Sequence, residues 1–320
     1  MNIVFCADRR VLPGLHVAMY SLLESIGEET SETRFFLFSD DLFNYEIELL
    51  RKTLSVLKKK FTLERQRLDT KQFANLLPLN GSSAAYYRLI VPQMLAVERF
   101  LYIDADTLCD VDVSILNAFK MHDKPAAFVS EAPMAYAVDR FVADQLGNST
   151  TEPYYNSGVM LVEVAAWRRQ CVTERALEYI TKQNPPYHDQ SALNVVLRGN
   201  VVTLDERFNC IANMRKHWPV LCQPLGSINR LIHFVDYPKP WDLLGEWVNP
   251  YYGLWHEVLA KTALKNFRSW HNTPTRRFPN TAKALTGYKK LFKDRLLLAS
   301  YSRGWLKNIK GVPAENGMAD

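Results

Sequence analysis

Residues 99–106 read Arg-Phe-Leu-Tyr-Ile-Asp-Ala-Asp, a short apolar run that ends in two carboxylates two positions apart. A run of that length and content is a buried strand, and the carboxyl edge of an open α/β sheet is where ligands bind. Carboxylates at i and i+2 can share one hard divalent cation, Mg²⁺ or Mn²⁺, that also takes oxygens from a diphosphate. The bare pattern is weak, as Asp110-Val-Asp112 illustrates: no apolar strand precedes it, and it reads as a turn and helix cap. Phosphatases with an aspartyl nucleophile also carry Asp-x-Asp after a strand, with Thr two places beyond the second Asp. Here Thr107 follows immediately, which is the wrong spacing.

Outward from this segment, short apolar runs alternate with helix-period stretches. Strands are expected at 3–7, 34–39, 61–68 (more exposed), 126–130, 158–162, 201–204 and 231–235, and helices at 13–26, 42–57, 85–96 and 189–197. Pro92 is expected to kink or end its helix. The pattern predicts an α/β domain with a mainly parallel sheet flanked by helices.

The 320 residues are 48% hydrophobic and 23% charged, which excludes a collagenous, low-complexity or largely disordered chain. No run of 18 apolar residues offers a spanning helix, and the start lacks the pattern of a secretory signal. Five scattered cysteines, with no Cys-x-x-Cys pair, read as reduced thiols, so the expected compartment is the cytoplasm. The net charge of +5 is uneven. Residues 251–320 hold 13 Lys or Arg against four acids, a net of +9, which leaves −4 for the rest. Cations interleaved with Trp247, Tyr251, Tyr252, Trp255, Trp270, Tyr288, Tyr301 and Trp305 suit an anionic membrane surface, or a solvated basic face packed on the domain. Nucleic-acid binding through this tail is the weaker expectation. The chain is therefore divided into an α/β domain over 1–245, a basic amphipathic region over 246–312 and a disordered tail over 313–320.

Further polar residues fall near expected strand ends. Asn156 precedes the strand at 158–162 and suits a sugar hydroxyl or a turn. Tyr187-His188-Asp189-Gln190 opens a helix in which Asp189, taken alone, reads as a cap. His233 ends an apolar run, where imidazole can serve as a metal ligand or a structural residue, and Lys239 lies between two prolines as a phosphate counter-charge.

In order, these pieces resemble glycosyltransferase family 8, the retaining GT-A enzymes that include bacterial lipopolysaccharide galactosyl- and glucosyltransferases and glycogenin. The resemblance runs from residue 2 to about 241 through Ala7-Asp8, Ala-Tyr-Tyr-Arg-Leu at 85–89, Tyr-Ile-Asp-Ala-Asp, Tyr-Asn-Ser-Gly-Val, Asp189-Gln190, and His233 with Lys-Pro-Trp. It implies a GT-A fold and Mn²⁺ (or Mg²⁺) held by Asp104, Asp106 and His233. It further implies a UDP-galactose or UDP-glucose donor, with Cys6, Ala7 and Asp8 near uracil and Ala105 at the same donor edge. Arg88, Asn156, Asp189 and Gln190 would hold the sugar, Lys239 the phosphates, and Tyr187 would lie on the acceptor side. Retention then reads as front-face attack, with Gln190 stabilising positive charge at the anomeric carbon and Asp189 as nucleophile the lesser option. The implied product is a cell-surface glycan such as lipopolysaccharide, made at the inner membrane face. A soluble or self-glycosylating transferase, and a sugar-nucleotide-binding protein without catalysis, are the alternatives. Three residues depart from the family pattern: Arg10 with Val11 where relatives carry Asn and Tyr, Glu131 in place of Asp, and Asp236 in place of Gly.

Overall fold

The computed structural model describes residues 1–28, 30, 32–68, 73, 84–212, 229–235, 239–242, 250–267 and 289. Asp236, Trp247 and the basic residues from 268 to 310, apart from Lys289, lie outside them.

Seven strands form the large sheet: β1 (Asn2–Cys6), β2 (Thr33–Phe38), β3 (Phe61–Gln66), β4 (Arg99–Ile103), β6 (Ala126–Pro133), β7 (Pro153–Glu163) and β8 (Val202–Leu204). Their order is β3-β2-β1-β4-β7-β6-β8. The β3-β2-β1-β4 half is parallel, β7 runs antiparallel to both β4 and β6, and β8 is parallel to β6. A second sheet joins β5 (Thr107–Cys109), β10 (Leu231–His233) and β9 (Cys210–Ile211). The expected α/β architecture is therefore present as a mixed sheet, with β3 at its edge and partly exposed.

Side chains alternate across the sheet, as strand geometry requires. Ile3, Phe5, Phe35, Leu37 and Leu101 pack against α1 (Leu12–Ser25) and α2 (Asn44–Ser55). Val4, Phe36, Tyr102, Met160 and Val162 face α3 (Ala84–Met94), α5 (Val164–Arg169), α6 (Val172–Gln183) and α7 (His188–Val196). A short α4 (Arg140–Gln145) covers the end of β7, and α8 (Pro250–Ala260) lies on α1.

Pro92 lies inside α3 without ending it. The carbonyls of Pro92 and Leu95 instead accept from Arg168 at 2.7 and 2.9 Å, which satisfies the end of the helix. Strand β7 begins five residues before the expected 158, because β6 continues to Pro133 and pairs with it past register shifts near Ser130. Asn156 therefore sits within a strand and not ahead of one. Trp255, grouped above with the interfacial aromatics, is buried, its ring 5.7 Å from that of Trp241. As expected, Asp112 is a cap: its carboxylate accepts from Ser114 N at the start of a 3₁₀ turn.

Candidate active site

The two carboxylates of residues 104 and 106 stand where the chain leaves one sheet for the other. Asp104 N donates to Gly158 O at 2.8 Å, prolonging β4 against β7, and Phe234 N donates to Asp106 O at 2.8 Å in the small sheet. Antiparallel pairing of β5 with β10 sets His233 opposite Thr107, which brings the imidazole over the carboxylates. The backbone is crowded here. A Cβ on Gly158 would meet His233 Cε1 at 2.1 Å and Asp104 Oδ2 at 2.8 Å; one on Gly14 would meet Ala105 O at 2.5 Å and the Trp241 ring at 2.6 Å.

Each carboxylate has one oxygen tied and turns the other to His233. Asp104 Oδ1 accepts from Tyr102 at 2.5 Å and Arg88 at 2.9 Å, while its Oδ2 lies 3.7 Å from His233 Nε2. Asp106 Oδ2 accepts from Lys239 Nζ at 2.7 Å, while its Oδ1 is 3.2 Å from the same nitrogen. Burial would raise the Asp106 carboxyl, but the charge of Lys239, and then His233, outweighs it and holds the group well below the ordinary carboxylate range. Lys239 Nζ also donates to Phe234 O, and its backbone N–H to Asp242 at 2.8 Å.

Arg88 ties this cluster to α7. Its guanidinium contacts Asp104, Asp189 at 3.3 Å and both oxygens of Ser157, and lies 4.6 Å over the Tyr102 ring. Burial disfavours its charge, yet Asp104 and Asp189 reverse the balance and raise its pKa. Asp189 is no helix cap: 2% exposed, it accepts from Ser157 Oγ at 3.0 Å, and burial raises its carboxyl against the pull of Arg88.

Beside these charges runs a line of neutral dipoles. His233 Nδ1 meets Asn209 Oδ1 at 3.0 Å; Asn209 Nδ2 donates to Asn156 Oδ1 at 3.0 Å; Asn156 Nδ2 donates to Gln190 Oε1 at 3.1 Å. Gln190 Nε2 then donates to the Tyr154 hydroxyl at 3.0 Å, which donates to Asp139 Oδ2 at 3.0 Å. Backbone N–H groups can only donate, and those of Ser157 and Gly158 point at Gln190 Oε1 and Asn156 Oδ1. The amide orientations follow, and with them the hydrogen on His233 Nδ1, which leaves Nε2 as the ring nitrogen turned to the carboxylates.

At 3.2 Å, Nε2 and a carboxylate oxygen need a proton or a cation between them. Two oxygens and one imidazole nitrogen, all within 4.8 Å of one another, form a donor set suited to Mn²⁺ or Mg²⁺. The residues fit a divalent metal, and Asn209 is the outer partner such a ligand needs.

The remaining expected site residues flank this centre. Cys6 and Ala7 are buried at the end of β1, and Asp8 follows at its rim. Both Asp8 oxygens are taken by Arg10, at 2.8 Å from its backbone N and at 3.0 and 2.5 Å from its guanidinium. The departure at position 10 thus acts directly on Asp8. Tyr187 is 39% exposed at the entry to α7. Glu131, on β6, is half-buried.

The family model for glycosyl transferase family 8 matches residues 2–245. The chain belongs to glycosyltransferase family 8. It is 26% identical over 322 residues to lipopolysaccharide 1,2-glucosyltransferase of Escherichia coli K12, covering 97% of this chain and 89% of that protein. To general stress protein A of Bacillus subtilis 168 it is 26% identical over 258 residues, covering 76% and 87%. The galactosyltransferase LgtC, solved with donor and acceptor sugar analogues, superposes with a TM-score of 0.67 at 19% identity, over 82% of this chain and 96% of LgtC. The fold of this transferase is accordingly GT-A.

Sequence reasoning missed Tyr102, Ser157, Asn209 and Tyr154, each of which holds a site residue in place, and Asp139, which holds Tyr154. Tyr102 and Ser157 sit inside segments already singled out. Asn209 and Asp139 carry no local signal, since only the tertiary fold brings them there.

Proposed function

We propose that this glycosyltransferase moves galactose or glucose, with retention of configuration, from a UDP-sugar to a glycan acceptor, a lipopolysaccharide or other cell-surface precursor. The observation that carries the reading is the convergence of Asp104 Oδ2, Asp106 Oδ1 and His233 Nε2 at the carboxyl edge of the sheet. Bound there, Mn²⁺ or Mg²⁺ would neutralise the diphosphate and stabilise departing UDP. Lys239, at the same carboxylate, would share the phosphates. Asp8, with Cys6 and Ala7, would meet the uracil end, Ala105 would line the donor edge, and Arg88, Asn156 and Asp189 would hold the sugar.

Two features favour front-face attack. Both lone pairs of Gln190 Oε1 already accept hydrogen bonds, from Asn156 and from Ser157 N, so the amide is a fixed dipole and no nucleophile. The Asp189 carboxylate is buried and paired with Arg88, and its Oδ2 also accepts from Ser157, which draws charge off the group and weakens it as a nucleophile. In this reading the leaving phosphate takes the acceptor proton, and the Gln190 dipole stabilises the positive charge developing at the anomeric carbon.

The acceptor reading rests on the relatives, among them Escherichia coli enzymes named as lipopolysaccharide glucosyltransferases, and on the basic residues beyond 260. Tyr187, partly exposed at the entry to α7, suits an acceptor contact. A chain whose last 70 residues carry a net of +9 suits a peripheral position on the anionic inner face of the cytoplasmic membrane. No helix among the described residues is long and apolar enough to cross a membrane.

The test is UDP release from a panel of UDP-sugars with Mn²⁺, with and without EDTA, in wild type and Asp106→Ala. Metal-dependent turnover of one donor, reduced on the order of 10³-fold in the variant, is expected. No turnover and no Mn²⁺-dependent thermal shift with any UDP-sugar would overturn the reading.

A further inference from the structure

Asp139 is 0% exposed, has no cation within ion-pair distance among the described residues, and belongs to no motif. Its carboxylate accepts from Tyr154 at 3.0 Å, Ser191 Oγ at 2.5 Å and Val142 N at 3.2 Å, the last as the cap of α4. A buried carboxylate satisfied only by neutral donors is costly to keep, and a cap alone does not require burial.

The value of that charge lies in the direction it imposes. A carboxylate only accepts, so Tyr154 must donate to it, and the same hydroxyl must then accept from Gln190 Nε2. At the other end of the amide, Ser157 N can only donate, so Gln190 Oε1 must accept. Hydrogen bonds in series strengthen one another in a low-dielectric interior. A negative charge at the Tyr154 end draws the Gln190 N–H outward and pushes electron density toward Oε1. Burial, with the Asp139 charge next, drives the Tyr154 hydroxyl far above its ordinary pKa, so it stays a donor.

We propose that Asp139 is a positioning residue for transfer: acting through the Tyr154 hydroxyl, it orients the Gln190 amide and makes its oxygen a stronger negative pole for the sugar's developing positive charge. This rests on the role given to Gln190 above.

The experiment measures UDP release from UDP-galactose and UDP-glucose with Mn²⁺ for Tyr154→Phe, Asp139→Asn, the double variant and Gln190→Ala. Tyr154→Phe keeps the ring and the α4 cap and removes only the linking hydroxyl. Its kcat should fall roughly tenfold, the worth of one charge-assisted hydrogen bond, with the donor KM within about twofold. Asp139→Asn, which retains cap capacity, should fall at least as far, and the double variant should match Asp139→Asn and not multiply the losses. The Gln190 side-chain NH₂ resonance in ¹H–¹⁵N spectra should move in both single variants, which a purely structural cap would not produce. Should Asp139→Asn fail to fold, Tyr154→Phe decides the matter. Unchanged kcat and an unmoved Gln190 resonance in Tyr154→Phe would overturn the proposal. Unchanged kcat in Gln190→Ala would instead overturn the role of Gln190 itself.

Discussion

The site has two halves built on opposite electrostatic plans. Around Asp104 and Asp106 every close partner is charged or titratable, with Arg88, Lys239 and His233 packed against the carboxylates. From Asn209 through Asn156 to Gln190 the partners are neutral amides in one orientation. The difference teaches where each kind of charge is handled. A diphosphate and its metal carry full charges that persist through the reaction, and full counter-charges hold them. Positive charge on a sugar ring is transient and partial, and a preorganised dipole stabilises it without the permanent ion pair that would bind the ground state equally.

Three variants test that division, beginning with the largest effect. Gly158→Ala strikes both halves, since its Cβ would reach His233, Asp104 and Asn156 Oδ1, the last at 2.9 Å. Turnover should fall on the order of 10³-fold and the chain should lose about 1–3 kcal/mol by overpacking, read by steady-state kinetics and denaturant unfolding. Near-normal activity would show that the crowding is not needed. Gln190→Ala breaks only the neutral half, so kcat should drop on the order of 10²-fold while Mn²⁺ affinity, measured by calorimetry, stays put. Lys239→Ala breaks only the charged half and spares the three metal donors. The donor KM should rise about tenfold with a smaller change in kcat, and an effect confined to kcat would move Lys239 to the chemical step.

The smallest effect lies outside both halves and supplies a baseline for the fold. His16, in α1, is buried with Nδ1 2.7 Å from Thr53 Oγ1, and burial lowers its pKa to about 3. The unfolded chain binds this proton near pH 6.5 and the folded chain does not. Stability is therefore complete above about pH 6.5 and declines as the pH falls toward 3. Unfolding midpoints between pH 7 and 5 should decrease in wild type, and His16→Leu should flatten that slope.

Much of the charged half was legible in the sequence because it is local. Residues 99–103 form β4 with the expected bounds, the carboxylates follow at once, and His233 ends a recognisable strand. Helix α6 passed unnoticed although Val172, Ala176 and Ile180 recur at four-residue spacing and are buried. The neutral half was legible only in part. Asn156 and Gln190 lie in motifs, but their orientation depends on Asn209, which reaches Asn156 across 53 residues, and on Asp139, which reaches Gln190 through Tyr154. Hydrogen-bond direction is a property of the whole network, and no short window of sequence contains it. Likewise the capture of Asp8 by Arg10 depends on the 3₁₀ turn that Asp8 caps, and the residue types alone leave that geometry open.

The central claim is that residues 104, 106 and 233 form the metal-dependent donor site, and calorimetry of UDP binding with and without Mn²⁺ tests it most directly. The account predicts one Mn²⁺ per chain and UDP binding that is weakened at least tenfold when the metal is withheld, with both lost in Asp106→Ala. Equal UDP affinity with and without Mn²⁺, unchanged in that variant, would contradict it.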